Sequence, residues 1–297
     1  MLPACAQSAA GRLQDTDEKH LLATSYLLMT KNSGHLKAFL SCILFLGVVF
    51  IAGTLMAGRP KPAFKFKTVV IDAGHGGKDP GAHGTFSSEK NVALAIAKKV
   101  RLLLNEEMPG INVVMTRSAD KFIGLSRRSE IANENHANLF ISIHCNSLPA
   151  KTAKERGVLI LVYGFHRKEE QMEALRENAS IYIEKDYKTT YGGYSENDPT
   201  SLIVLNTFME KYRKQSILFG SILNKEFVDT DGRKSRGVKE QGVLVLAHSA
   251  MPAVLVETGY INNPTEERYL NSKTGQDEIA RSIVRAIKTY RQDIDTH

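Results

Sequence analysis

Short, unbroken apolar runs separated by helix-length segments constrain this chain more tightly than any other feature. From Phe66 onward they read FKTVVIDAGHGG, INVVMTR, NLFISIHCNS, GVLILVYG, QGVLVLAHS and PAVLVETG. A strand with one wet face alternates apolar and polar residues, whereas a run that is apolar throughout is buried on both faces. The intervening segments carry the helical period. EKNVALAIAKKVRLLLNEE spaces its apolar residues so, with Ser87 or Ser88 at the N-cap position. LSRRSEIANENHA, FMEKYRKQSILFGSILNKEFV, NPTEERYLNS and GQDEIARSIVRAIKTYRQ follow as helices. This alternation predicts a single α/β domain over residues 66–293, with a mostly parallel central sheet flanked by helices.

Ahead of that domain, Ala38–Ala57 reads AFLSCILFLGVVFIAGTLMA and carries no charge. Roughly 20 such residues span a bilayer as a helix. Lys31 and Lys37 precede it, and Arg59, Lys61, Lys65 and Lys67 follow, so flanking charge fixes no orientation. A start at Met29 would give MTKNSGHLK, the basic leader of a signal peptide. Residues 29–60 therefore read as a signal peptide or membrane anchor with its linker, and residues 1–28 as a polar extension. Either reading places the domain in the periplasm or cell envelope; a buried core helix is the remaining alternative.

The net charge of +7 suits a polyanionic partner. No Lys/Arg run is interleaved with aromatics, so nucleic acid is not expected, whereas an anionic cell-wall polymer fits. The cysteines are Cys5, Cys42 and Cys145, which leaves one in the folded part and no disulfide framework. No pair has zinc-finger spacing, so a metal here must use histidine and carboxylate.

Three strands end in residues that hold or use a metal: His75 after the first, His144 in the third and Glu257 in PAVLVE. Sites of open α/β sheets form outside the carboxyl ends of strands. Glu89 opens the helix after the first strand, where the helix dipole favours a charged carboxylate. His75, Glu89 and His144 make a two-histidine, one-carboxylate set that leaves a fourth zinc position for water. Glu257 then takes the water proton and passes it to the leaving amine. Each residue also fits an ordinary structural role, as a core histidine, a helix-start charge or a paired buried acid. Asp72 and Asn146 are candidates to fix ligand orientation, and His83 is the spare imidazole nearest the site. The glycines at 74, 76 and 77 lack the dinucleotide spacing, because position 79 is Asp79.

IDAGHGGKDPGAHG, SSEKNVALAIAKKV, NLFISIHCNS and PAVLVETGYINN, in this order between about Thr68 and Tyr290, resemble the zinc-dependent N-acetylmuramoyl-L-alanine amidases of the amidase-3 type. The resemblance implies a six-stranded α/β fold, one Zn2+ held by His75, Glu89 and His144, and Glu257 as the catalytic glutamate. It implies hydrolysis of the amide between N-acetylmuramic acid and L-alanine in peptidoglycan, for cell-wall remodelling or daughter-cell separation. A protein activator is a partner of the same reading. LSRRSEIAN matches the family segment with an Arg before an Ala-Asn pair, read here as Arg127, Ala132 and Asn133. Arg127 is then a candidate for substrate carboxylates, with a structural ion pair as its alternative; Asn146 is a second candidate substrate contact. The chain departs from the basic pattern in a charged insert at about 165–215, which is either a surface excursion or a lid. Its position and its acidic residues, such as Glu170 and Glu184, carry the lid reading. A related enzyme cutting a different amide, and a non-catalytic binder, are the rival functions. The binder normally lacks a ligand or the glutamate, and all four are present.

Overall fold

Five of the apolar runs become strands where the sequence places them: β1 (Thr68–Ala73), β2 (Asn112–Met115), β3 (Leu139–Asn146), β4 (Val158–Tyr163) and β6 (Ala253–Tyr260). The sixth strand, β5 (Ser235–Gln241), is SRGVKEQ rather than the apolar run that follows it. That run instead forms one helical turn, α6 (Leu244–Ala247). The correction has a physical cause. An apolar run of this length serves a buried strand or a buried helical turn equally well. Consecutive Val245, Leu246 and Ala247 are all buried beneath the sheet, which a strand cannot achieve on one face. The half-polar β5 suits the sheet edge, where charged side chains discourage pairing with other chains.

The structure is a computed structural model that describes residues 41, 43–45, 66–149, 154–164, 171–191 and 199–295, with backbone alone at 188 and 199–210. Its contacts separate residues 1–63 from Phe64–His297, and the second unit is the domain. Most of the 38–57 segment lies outside the described residues, as do residues 1–28. Among the described residues no helix is long and apolar enough to cross a membrane.

The strand order is β2-β1-β3-β6-β4-β5. All neighbours are parallel except β4 and β6. The carboxyl ends of β1, β3 and β6 therefore share one rim with the starts of β4 and β5. On one face, Val69, Ile71, Ile141, Ile143 and Val256 pack against α1 (Glu89–Glu107), α5 (Pro199–Lys225) and α8 (Lys273–Asp295). On the other, Val70, Phe140, Leu161 and Leu255 pack with α2 (Leu125–Glu134), α6 and Ala174 of α3 (Met172–Asn178). Two covered faces explain why the strands are apolar throughout. A 3-10 turn (Ala179–Ile183) and α4 (Tyr187–Tyr191) continue the insert. Pro264 opens α7 (Pro264–Asn271), whose N-cap Asn263 accepts from the amides of Thr265 and Glu266.

Candidate functional site

The site begins with a turn that no ordinary backbone would adopt unaided. His75, directly after β1, has φ 57°, in the left-handed region, as has Gly77 at 58°. For a residue with a side chain this costs of order 1 kcal/mol or more and persists only where its surroundings hold it. Two buried guanidiniums do so. Arg128 donates to the carbonyls of Ala73 and His75, each at 2.7 Å, and Arg117 donates to those of Ala73 and Gly74 at 2.8 and 2.7 Å. Arg128 is itself anchored on Asp72, at 2.7 Å, which also accepts from Thr116 and Ser142. Position 74 must be glycine, because a Cβ there would strike the imidazole of His144.

With the turn fixed, His75 Nδ1 meets Asp79 Oδ2 at 2.9 Å and turns Nε2 inward. His144, opposite Glu257 in the β3–β6 register, presents Nδ1 to the same point. Glu89, at the start of α1, accepts from the amides of Ala82 and Cys145 at 2.8 Å, which aims its carboxylate. Glu89 Oε1 lies 3.2 Å from His75 Nε2 and 3.0 Å from His144 Nδ1. A fourth donor comes from the insert: Glu177 Oε2, on α3, lies 3.4 Å from His75 Nε2 and 2.8 Å from His144 Nδ1. All four residues are buried.

These separations suit a tetrahedral ion. Zinc–nitrogen and zinc–oxygen bonds of about 2.0–2.1 Å put neighbouring donors about 3.3 Å apart. Among the described residues, His75 Nε2 and Glu177 Oε2 are buried without an aligned hydrogen-bond partner, which is unfavourable unless they share another one. The electrostatics agree. Burial alone would lower His144, yet Glu177 and Glu89 push it up to about 9, and His75 rises well above its usual range. Burial would raise the Glu89 carboxyl, but the two imidazoles hold it far below the usual range. A pocket that draws in positive charge this strongly suits a cation.

Glu257 is fully buried beside the four donors. Its Oε1 accepts from Arg176 Nη2 at 2.6 Å, while Oε2 has no partner among the described residues. Burial, reinforced by Glu177 and Glu89 and opposed by Arg176, pushes its carboxyl up to about 8. Arg176 also holds Glu177, at 2.7 Å, and Asn146 Oδ1, at 2.7 Å. A cavity of about 290 Å³ lies along His75, Glu89, Glu177 and Ser180. A larger one, about 470 Å³, opens on the other side of Arg176, along Asn146, Arg236 and Lys239.

The structure thus gathers His75, Glu89, His144 and Glu257, and places Asn146 at the rim. It does not bring Arg127 there. Arg127 sits on the exposed face of α2, paired with Glu130 and Glu134, and the arginine that turns inward is its neighbour Arg128. One residue along a helix is about 100° of rotation, so the segment match could not choose between adjacent arginines. Asp72 orients no imidazole; Asp79 does. His83 is exposed and bridges Ser88. Within the insert, Glu184 accepts from the Leu125 amide and from Tyr191, away from the metal-type donors, and Glu170 lies outside the described residues. Sequence reasoning missed Arg176 and Glu177, which sit among many charges with no spacing to single them out.

Comparison with known proteins identifies the family. The amidase-3 family, described as N-acetylmuramoyl-L-alanine amidase, matches residues 69–289. The N-acetylmuramoyl-L-alanine amidase AmiA of Escherichia coli K12 is 34% identical, with 78% of this chain and 80% of AmiA covered. The catalytic domain of CwlV, an amidase of the same name from Bacillus (Paenibacillus) polymyxa var. colistinus, superimposes with a TM-score of 0.55 at 31% identity, covering 77% of this chain and 99% of that one. The CwlD amidase of Clostridioides difficile, solved in complex with the GerS lipoprotein, gives 0.55 at 26% identity, over 76% and 99%. The chain belongs to the amidase-3 family of N-acetylmuramoyl-L-alanine amidases and is a peptidoglycan hydrolase.

Proposed function

We propose that this amidase is a single-zinc enzyme in which His75, Glu89 and His144 hold the ion and Glu257 is the proton carrier. The observation that supports this best is the meeting of His75 Nε2, Glu89 Oε1 and His144 Nδ1 within 3.2 Å of one another along two edges, beside a buried acid. Bound zinc supplies a Lewis acid and brings the pKa of a ligated water toward neutrality. The residues do the rest. Glu257 takes a proton from the attacking water as its oxygen bonds to the lactyl carbonyl carbon. When the carbon–nitrogen bond breaks, Glu257 returns that proton to the L-alanine nitrogen. Asn146, at the rim, is the contact we assign to the substrate. Mass spectrometry of digested peptidoglycan tests the reading: intact stem peptides with new L-alanine amino ends are expected, and new ends at other residues would reassign the bond.

The insert acts as a lid in this reading. Glu177 fills the position that water needs, and Arg176 occupies Glu257. α3 is docked mainly by polar contacts, such as Ala174 N to Gln241 and the Leu244 amide to Asn178, with Met172 and Leu175 left exposed. A segment with little apolar burial opens at low cost. Activity then requires a signal that lifts α3, and a protein partner, as CwlD has in GerS, fits that role. Export to the periplasm or cell envelope, for wall remodelling or daughter-cell separation, completes the proposal.

A further inference from the structure

We propose that Arg236 is the specificity-determining residue for a substrate carboxylate, and that Glu173 of α3 occupies its place in the closed enzyme. This rests on the amidase reading above. Glu173 and Glu177 are four residues apart on α3 and both are buried, so they present two carboxylates on one face, about 5–6 Å apart at Cβ. Glu177 reaches the metal-type donors. Glu173 reaches Arg236, whose Nη1 donates to Oε1 at 2.6 Å, while Gln241 Nε2 donates to Oε2 at 2.7 Å. Tyr260 Oη accepts from Arg236 at 2.9 Å and fixes the guanidinium. Apart from Glu173, Arg236 is thus held ready for a carboxylate by Tyr260, which belongs to the sheet rather than to the lid.

The substrate has the matching spacing. The reacting carbonyl is followed by L-alanine and then by an acidic residue of the stem peptide. Two residues of extended chain carry a carboxylate on that second residue about 7 Å from the reacting carbon. Arg236 and Lys239 line the cavity of about 470 Å³ that Arg176 separates from Glu257, which has room for this arm. Asn146, 1% exposed, lines the same cavity, and its Nδ2 is a buried donor with no partner among the described residues. An unpartnered buried amide is unfavourable in the closed state and is satisfied when a peptide carbonyl enters. α3 therefore blocks by imitation: one carboxylate at the reaction centre and a second at the Arg236 subsite.

The test uses the full chain with both mimicking acids removed, Glu173→Ala with Glu177→Ala, so that Arg236 has no lid partner to lose. Two muramoyl-tripeptides serve as substrates, identical except that the residue after L-alanine bears a free carboxylate or a carboxamide. The parent is expected to favour the carboxylate by roughly tenfold or more in kcat/KM, the worth of one charge-assisted bond. Adding Arg236→Met should collapse that ratio to about one while leaving kcat/KM on the carboxamide within about threefold, and Arg236→Lys should restore part of it. Inhibition by the released peptide, acid against amide, should follow the same ratio. An unchanged ratio in Arg236→Met, or an equal loss on both substrates, overturns the proposal. Failure of the parent to release an L-alanine amino end from either substrate would instead refute the amidase reading, and this subsite with it.

Discussion

At the scale of single residues, the site depends on atoms whose alternatives have been removed. His75 spends Nδ1 on Asp79, Gly74 leaves space for the His144 ring, and Glu89 is aimed by two backbone amides. Each constraint leaves one donor atom pointing at a common centre, which is what preorganised ligation requires. Glu257 is different in kind, because its buried Oε2 has no partner among the described residues. Glu257→Gln should therefore keep its metal and lose about 10²–10⁴-fold in turnover, the usual worth of a positioned acid–base group. Zinc content and peptidoglycan release, measured on the same preparation, check this; retention of most turnover would remove Glu257 from the proton path. These residues were legible because strand ends and helix starts have few positions at which such side chains occur. Arg128 and Arg117 were not, because a buried arginine that serves backbone carbonyls looks the same in sequence as a surface one.

At the scale of elements, α3 is the part of the catalytic domain that the proposed lid would move. It contributes Arg176 to Glu257 and Glu177 to the metal-type donors, so in the proposed mechanism a single helix would remove the proton carrier and the water position together. Glu177→Ala should raise turnover on purified sacculi by at least about tenfold, with little change in thermal stability, since α3 keeps its contacts through Gln171, Ala174 and Asn178. Turnover at or below that of the unaltered protein would contradict the lid. The sequence made the insert visible as a charged departure from the α/β rhythm, but not which of its acids turns inward. That depends on how α3 docks against β5 and α6, and the apolar run at α6 was itself read as a strand. Both misses share a cause. Short elements are fixed by tertiary contacts, whereas β1, β3, β6, α1 and α8 carry enough periodic residues to declare themselves.

At the scale of the whole molecule, parallel strands bring the ends of β1, β3 and β6 to one rim, and a buried ionic network beneath it ties the sheet to α2. Asp72 is its centre. Burial would raise this carboxyl, but Arg128, Ser142 and Thr116 outweigh it and hold it below the usual range. Because its folded value lies below the unfolded one of about 3.9, its stabilisation is complete above about pH 4 and is lost as pH falls further. Asp72→Asn should cost about 3–5 kcal/mol near neutrality, the worth of breaking a buried pair, and should flatten the acid limb of stability against pH. Denaturant unfolding between pH 3 and 7 checks both effects. In the account proposed above the fold places three ligands around one ion, and metal content measures that claim most directly. Atomic absorption on the purified protein should find about one zinc per chain in the unaltered enzyme and in Glu177→Ala, and well below one in His144→Ala. A full zinc complement in His144→Ala, or none in the unaltered enzyme, would contradict it.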